Sequence, residues 1–367
     1  MRAFSTLIKP ASSLCNMRCK YCFYADVAEH RAVESYGIMS SQTAHNLIDR
    51  IFEYMKPPAV INFSFQGGEP TLAGINFFRD FTDYVSKKNQ GRFEIHYAIQ
   101  TNGYLMDDEW CQLLKAKDFL VGISMDGDAA THDRYRLDKR QTGTHDRVRA
   151  AIKRLEKHGV AYNVLSVITS EMERHVQRVF SYYMKQRIQF VQLIPCLQPL
   201  EGGCPSEHDL TGQQYADFMK QFFALWAEQW RRGRAFSVRQ FDNLVNMMNG
   251  YPAEQCGMMG YCTPQFVVEA DGSVYPCDFY VLDRYRSGNV NTDSVETIAH
   301  SLGTQAFMDE GEAMGSLCAD CRVFALCGGG CRRYRAFYNQ KPGYCPHQDF
   351  LYAIYPALAQ IARAVRR

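Results

Sequence analysis

Three cysteines near the start of the chain have the spacing of a metal centre. In "CNMRCKYCFY", residues 15–24, Cys15, Cys19 and Cys22 form a C-x3-C-x2-C array with an aromatic residue on either side of the last thiol. A structural zinc site closes its shell with four protein ligands, and no histidine adjoins these cysteines to complete one. A 4Fe-4S cluster held by three thiolates keeps one iron without a protein ligand. The fourth position is therefore read as a site for a small molecule.

The chain has 14 cysteines, and eight of the remaining eleven lie late in it: Cys256, Cys262, Cys277, Cys318, Cys321, Cys327, Cys331 and Cys345. Eight thiols make two sets of four, which suit zinc or iron-sulfur clusters. Cys111, Cys196 and Cys204 are left over and read as small packing residues.

With 367 residues, 46% of them hydrophobic, the chain is long enough for about two domains with ordinary cores. Forty-one basic against 39 acidic residues leave a formal charge of +2, which suggests neither a nucleic-acid groove nor an anionic membrane surface. The N-terminal "MRAFSTLIKPASS" lacks the apolar core of a signal peptide, and no stretch reaches the roughly 18 apolar residues of a membrane span. A cytoplasmic protein is expected. In that reducing compartment the thiols serve metal or redox chemistry rather than disulfides.

These thiols need elements to position them. Between about residues 5 and 200, six β-rich runs, "TLIKP", "INFSFQ", "EIHYAIQ", "FLVGISM", "YNVLSVI" and "QFVQLIP", alternate with segments of helical periodicity. Repeated β-α units predict a parallel sheet, open or curled toward a barrel. In such folds ligands bind beyond the carboxyl ends of the strands, and "CNMRCKYC", "GGEP", "TNG" and "MDG" follow the first four strands in turn. Each motif alone reads as a turn. Four at one edge read as a binding face. After residue 205, Phe218, Phe222, Trp226 and Trp230 recur at four-residue spacing in a long helix and are assigned to core packing. Beyond it a second, cysteine-rich domain is expected, and the terminal "ARAVRR" reads as a solvated helix end.

The C-x3-C-x2-C array followed by an aromatic resembles the signature of the radical S-adenosylmethionine superfamily. The resemblance implies an α/β fold, a partial (β/α)6 barrel, and S-adenosyl-L-methionine chelated by the open iron and cleaved to a 5'-deoxyadenosyl radical. "GGEP", Gly67 to Pro70, resembles the motif that holds the methionine amino group. By the same similarity Tyr21, Gly68, Ser124 of "ISMDG", Arg136 and Leu197 are carried to the S-adenosylmethionine site. Cys262, nine residues, Gly272, four residues, Cys277, then C-x2-C-x5-C-x3-C and a last Cys345 is similar to the SPASM pattern. Cys256 and "YPCDFYVL", Tyr275 to Leu282, resemble the anaerobic sulfatase-maturating enzymes, which convert a sulfatase cysteine or serine to Cα-formylglycine.

That likeness divides the chain into a radical S-adenosylmethionine domain with its following helix (1–233), a SPASM domain (234–345) and a C-terminal helix (346–367). It implies three 4Fe-4S clusters, two of them auxiliary. The auxiliary ligand sets would be Cys256, Cys262, Cys277 and Cys331, and Cys318, Cys321, Cys327 and Cys345. Spacing alone equally permits Cys331 in the second set and Cys345 in the first.

Oxidising a cysteine to a thioaldehyde removes two hydrogens. The deoxyadenosyl radical takes one from Cβ, a base takes the thiol proton, and one electron remains for a fully ligated cluster. Asp278, directly after Cys277 in "YPCDFY" where the relatives carry their proton acceptor, is the candidate base. Expected partners are a sulfatase polypeptide and an electron donor such as flavodoxin or ferredoxin, with a monomer as the default. Two rivals remain. One is a maturase that cross-links a ribosomal peptide, although such enzymes often carry a recognition module for which Cys15 leaves no room. The other is a non-catalytic zinc or electron-transfer protein.

Overall fold

The computed structural model of the chain describes residues 2–200, 206–311, 314–338 and 341–366. All six expected strands form: β1 (Arg2–Ile8), β2 (Ala59–Phe65), β3 (Glu94–Thr101), β4 (Phe119–Ser124), β5 (Tyr162–Ile168) and β6 (Phe190–Pro195). Four shorter ones follow, β7 (Ser237–Val238), β8 (Phe266–Val268), β9 (Ser273–Tyr275) and β10 (Gly288–Asn289). The result is an α/β fold built on parallel strands. Its contacts divide it into two compact units.

The first unit comprises Met1–Ser124, Arg136–Tyr162 and Pro264–Glu310. Its strands lie in the order β10-β9-β8-β1-β2-β3-β4. The pairs β1–β2, β2–β3 and β3–β4 are parallel, as crossover helices require. β2 shows how the sequence builds this. Ala59, Ile61, Phe63 and Phe65 alternate with half-buried residues, so one face of the strand is apolar throughout. Phe65 meets Phe78 and Phe81 of the helix Ile75–Asn89 with ring centroids 4.9 and 5.0 Å apart. Each phenylalanine so buried contributes roughly 1.5–3 kcal/mol. The preceding helix, Ser41–Tyr54, starts where the Ser40 hydroxyl accepts the Thr43 N–H, and it buries Leu47, Ile48 and Ile51.

β8 is not among the expected strands. It pairs in parallel with the free edge of β1, from Thr6↔Phe266 to Ile8↔Val268, and β9 folds back on it antiparallel. Residues 264–310 thereby join the first unit although they lie within the cysteine-rich stretch of the sequence. Three-residue strands carry no legible period, whereas the unpaired donors and acceptors of β1 favour a partner.

The second unit comprises Met125–Tyr135, Asn163–Thr263 and Gly311–Arg367. Here β5 pairs in parallel with β6 and β6 with β7. The helix Gly212–Arg231 opens with a capping box between Thr211 and Gln214. Phe218, Phe222 and Trp226 of its aromatic stripe are buried, and the Trp226 indole donates to the Phe236 carbonyl at 2.8 Å. Trp230 departs from the expected core role and is only half-buried, since it lies on the last turn where the apolar contacts run out. The helix Pro346–Val365 closes the unit, with Asp349 salt-bridged to Lys220 at 3.1 Å. Cys111 and Cys196 are buried within their units as packing residues, while Cys204 lies outside the described residues. Among the described residues no helix is long and apolar enough to cross a membrane.

Candidate active site

The loop between β1 and the helix Phe23–Glu29 carries the first three cysteines. The Cys15 Sγ accepts the Met17 N–H at 3.4 Å and lies 3.7 Å from Nδ2 of Asn102, which also donates to Asn16 Oδ1 at 2.8 Å. Asn102 belongs to "TNG", so two of the four motifs meet at this thiol. "GGEP" is the third to reach the loop. The Glu69 N–H donates to the Leu14 carbonyl at 2.8 Å. Gly68 holds φ at +49°, and a Cβ on it would lie 2.3 Å from the Leu14 carbonyl oxygen and 2.8 Å from that of Ser12. Only glycine lets the two segments approach this closely.

Glu69 itself is sealed inside. Its Oε1 accepts the Thr71 N–H and the hydroxyls of Thr71 and Thr101, and its Oε2 accepts the Asn102 N–H at 2.8 Å. Burial raises its pKa and these donors partly offset the rise. "MDG" follows β4 directly and is counted with the second unit, where Asp126 Oδ1 accepts the Val167 N–H and the Gly127 N–H donates to the Tyr183 hydroxyl.

Of the residues carried to the S-adenosylmethionine site, Tyr21 and Arg136 are brought together, the guanidinium carbon 5.3 Å from the ring centroid. Arg136 is buried, whereas nearby Arg134 is exposed and paired with Glu171 and Glu207. Ser124 is buried at the carboxyl end of β4. Leu197 is half-buried two residues beyond β6 in the second unit.

Burial makes three of these thiols, Cys15, Cys327 and Cys331, poor anions. Burial, with Glu69 and Cys22 adding to it, pushes Cys15 up to about 11. Burial also pushes Cys327 up to about 11, and the thiols acting on it are Cys345, Cys321 and Cys318. Cys331 rises to about 11 in the same way, with Cys256 and Cys262 as its thiol neighbours. Among the described residues no three His, Cys, Asp or Glu side chains gather as a single metal ion would require. The thiol sets are looser groupings.

Cys277 lies in the first unit, directly ahead of Asp278. Asp278 is buried, and three neighbours hold it. Lys9 Nζ is 2.5 Å from Oδ1, Gln66 Nε2 donates to Oδ2 at 2.8 Å, and the Asp278 N–H donates to Oε1 of Gln265 at 3.3 Å. Lys9 is fully buried, 3.7 Å over the ring of Tyr24. The Tyr24 hydroxyl in turn bonds Glu269, which pairs with Arg31 at 2.6 Å. Two buried cations and two buried anions thus face one another. Lys9, Gln66, Tyr24, Arg31 and Glu269 are absent from the sequence candidates. The one trace they leave is a lysine closing the apolar run "TLIK".

The Arg31–Glu269 pair makes a prediction of its own. Both side chains are wholly inaccessible, so Arg31→Met should destabilise the protein by about 3–5 kcal/mol by stranding a buried carboxylate. Denaturant unfolding measures this, and a loss below about 1 kcal/mol would mean that water reaches Glu269.

Residues 10–182 match the model of the Radical SAM superfamily, and residues 256–322 match that of the SPASM iron-sulfur cluster-binding domain. Fold and thiol pattern together define a radical SAM enzyme with a SPASM domain. A cysteine-type anaerobic sulfatase-maturating enzyme of Clostridium novyi (strain NT) is 39% identical over 345 residues, 94% of this chain and 90% of that protein. One from Clostridium perfringens (strain 13 / Type A) is 38% identical over 372 residues, the whole of both chains. The solved structure of anSMEcpe with bound AdoMet and the Cp18Cys peptide superposes with a TM-score of 0.91 at 36% identity, over 99% of each chain. The chain belongs to the anaerobic sulfatase-maturating enzymes.

Proposed function

We propose that this enzyme oxidises a cysteine residue of a sulfatase polypeptide to Cα-formylglycine. The observation that carries the reading is Asp278, buried next in sequence to Cys277 and held by Lys9 and Gln66 in the same unit as the three-cysteine loop. The cysteine-type relatives at 38–39% identity support cysteine over serine as the substrate. A thiol is also the stronger acid of the two, and so the easier to deprotonate.

The family implies a set of cofactors, and the donors of this chain are assigned to them. Cys15, Cys19 and Cys22 would hold a 4Fe-4S cluster with one open iron, and Tyr21, Gly68, Ser124, Arg136 and Leu197 would surround S-adenosyl-L-methionine. Cys256, Cys262, Cys277 and Cys331 would hold a second cluster, and Cys318, Cys321, Cys327 and Cys345 a third. When bound, these groups supply a 5'-deoxyadenosyl radical to abstract hydrogen and an acceptor for the remaining electron. The chain supplies the rest. Asn102 and the Met17 N–H orient Cys15, Gly68 lets "GGEP" close on the loop, and Asp278 receives the thiol proton. Water completes hydrolysis to the aldehyde, releasing hydrogen sulfide.

Residues 1–233 would house the radical chemistry and 234–345 the auxiliary clusters, with 346–367 as a closing helix. A flavodoxin or ferredoxin would be the electron donor, and the enzyme would act as a monomer. Mass spectrometry of a sulfatase-derived cysteine peptide after anaerobic turnover tests the reading. The expected product has lost two hydrogens and sulfur and gained one oxygen. Loss of two hydrogens with sulfur retained after prolonged incubation in water, which would hydrolyse a thioaldehyde, would indicate a cross-link instead, and an unchanged peptide would leave a non-catalytic protein.

A further inference from the structure

We propose that Lys9 is a positioning residue for proton removal, its ammonium fixing the Asp278 carboxylate toward the substrate thiol. The proposal rests on Asp278 being the base. Lysine is almost never fully buried unless paired, and here Nζ has the Asp278 carboxylate at 2.5 Å and the Tyr24 ring face at 3.7 Å. The backbone fixes the root of this side chain, because the Lys9 N–H donates to the Val268 carbonyl at 2.8 Å, where β8 lies against β1.

Space for the side chain comes from "GGEP". Gly67 has φ +104°, and a Cβ there would lie 2.7 Å from Lys9 Nζ and 2.8 Å from its Cγ. The two glycines therefore serve different ends: Gly68 admits the cysteine loop and Gly67 admits Lys9.

The contrast with Arg31–Glu269 separates this pair from a purely structural one. Arg31 and Glu269 are both wholly inaccessible, whereas the Asp278 side chain keeps 12% of its surface open. Lys9 holds Oδ1 and Gln66 holds Oδ2 at 2.8 Å, so the carboxylate is fixed at two points in a side chain that is still partly accessible. An ammonium and an amide N–H can only donate, and they leave lone pairs rather than a hydrogen to meet the thiol.

The test compares Lys9→Met, Lys9→Gln, Asp278→Asn and the double variant Lys9→Met/Asp278→Asn in reconstituted enzyme, using a cysteine peptide deuterated at Cβ. Iron content reports assembly. Peptide affinity, 5'-deoxyadenosine, its deuterium content and aldehyde are then measured. Lys9→Met should bind peptide and transfer deuterium as wild type does, while aldehyde per 5'-deoxyadenosine falls on the order of 10²-fold, as expected of a misplaced catalytic group. Lys9→Gln keeps a donor toward Oδ1 and should recover part of the loss. The double variant should be no worse than Asp278→Asn alone, since Lys9 acts only through Asp278.

An unchanged aldehyde ratio in Lys9→Met, a parallel fall of deuterium transfer and aldehyde, or multiplied losses in the double variant would each overturn the proposal. If Lys9→Met does not assemble, Lys9→Gln decides on the same ratio. Failure of the underlying reading looks different: Asp278→Asn would then make aldehyde at the wild-type rate whatever happens at Lys9.

Discussion

Replacing Cys15, Cys19 and Cys22 together by Ala should abolish S-adenosylmethionine cleavage altogether while leaving about eight of about twelve irons in place. On the proposed ligand sets the eight late cysteines fill two clusters completely, which leaves no iron free for the amino and carboxylate groups of S-adenosylmethionine. Two measurements decide it, iron per chain after anaerobic reconstitution and 5'-deoxyadenosine under reducing conditions. Retained cleavage would place the active cluster elsewhere, and a wild-type protein holding zinc with little iron would sink the three-cluster reading. The folded frame should survive, because the loop is also held by the Glu69 N–H on the Leu14 carbonyl and by Asn102 on Asn16.

The second large effect is expected at Asp278. Asp278→Asn preserves size and the neighbouring Cys277 but removes the proton acceptor, so aldehyde should fall about 10²- to 10⁴-fold. Cleavage of S-adenosylmethionine should continue, since the cysteine triad is untouched. With a substrate deuterated at Cβ, deuterium should still reach 5'-deoxyadenosine. The two activities would thus separate in one variant. If they fall together, Asp278 is needed earlier, for peptide binding or for the structure around Lys9, and its role as base fails.

Much of this site is legible in the chain because metal ligation depends on residue type and local spacing. Cys15, Cys19 and Cys22 lie within eight residues, so one short loop must carry all three thiols whatever the rest of the fold does. The six long strands are legible for a similar reason, as β2 shows: its period of two is written in Ala59, Ile61, Phe63 and Phe65. Trp230 departs from its expected place because helical spacing says which face a residue occupies and not where along the helix the packing ends.

Residue types and spacing account for the supply of donors: three thiols that suit an open cluster, eight that suit two closed ones, and a "GGEP" turn after the second strand. Which residues surround Asp278 depends on long-range folding. Lys9 and Asp278 are 269 positions apart, and Gln66 and Asp278 are 212 apart. They meet because β8 completes the hydrogen bonds at the free edge of β1, an event that three residues of sequence do not announce. The auxiliary thiols follow the same rule. Spacing leaves Cys331 and Cys345 interchangeable, whereas in the folded second unit Cys331 is near Cys256 and Cys262, and Cys345 is near Cys318 and Cys321. Spacing limits which ligands can share a cluster, but the choice between distant candidates depends on backbone pairing, which the folded chain alone supplies.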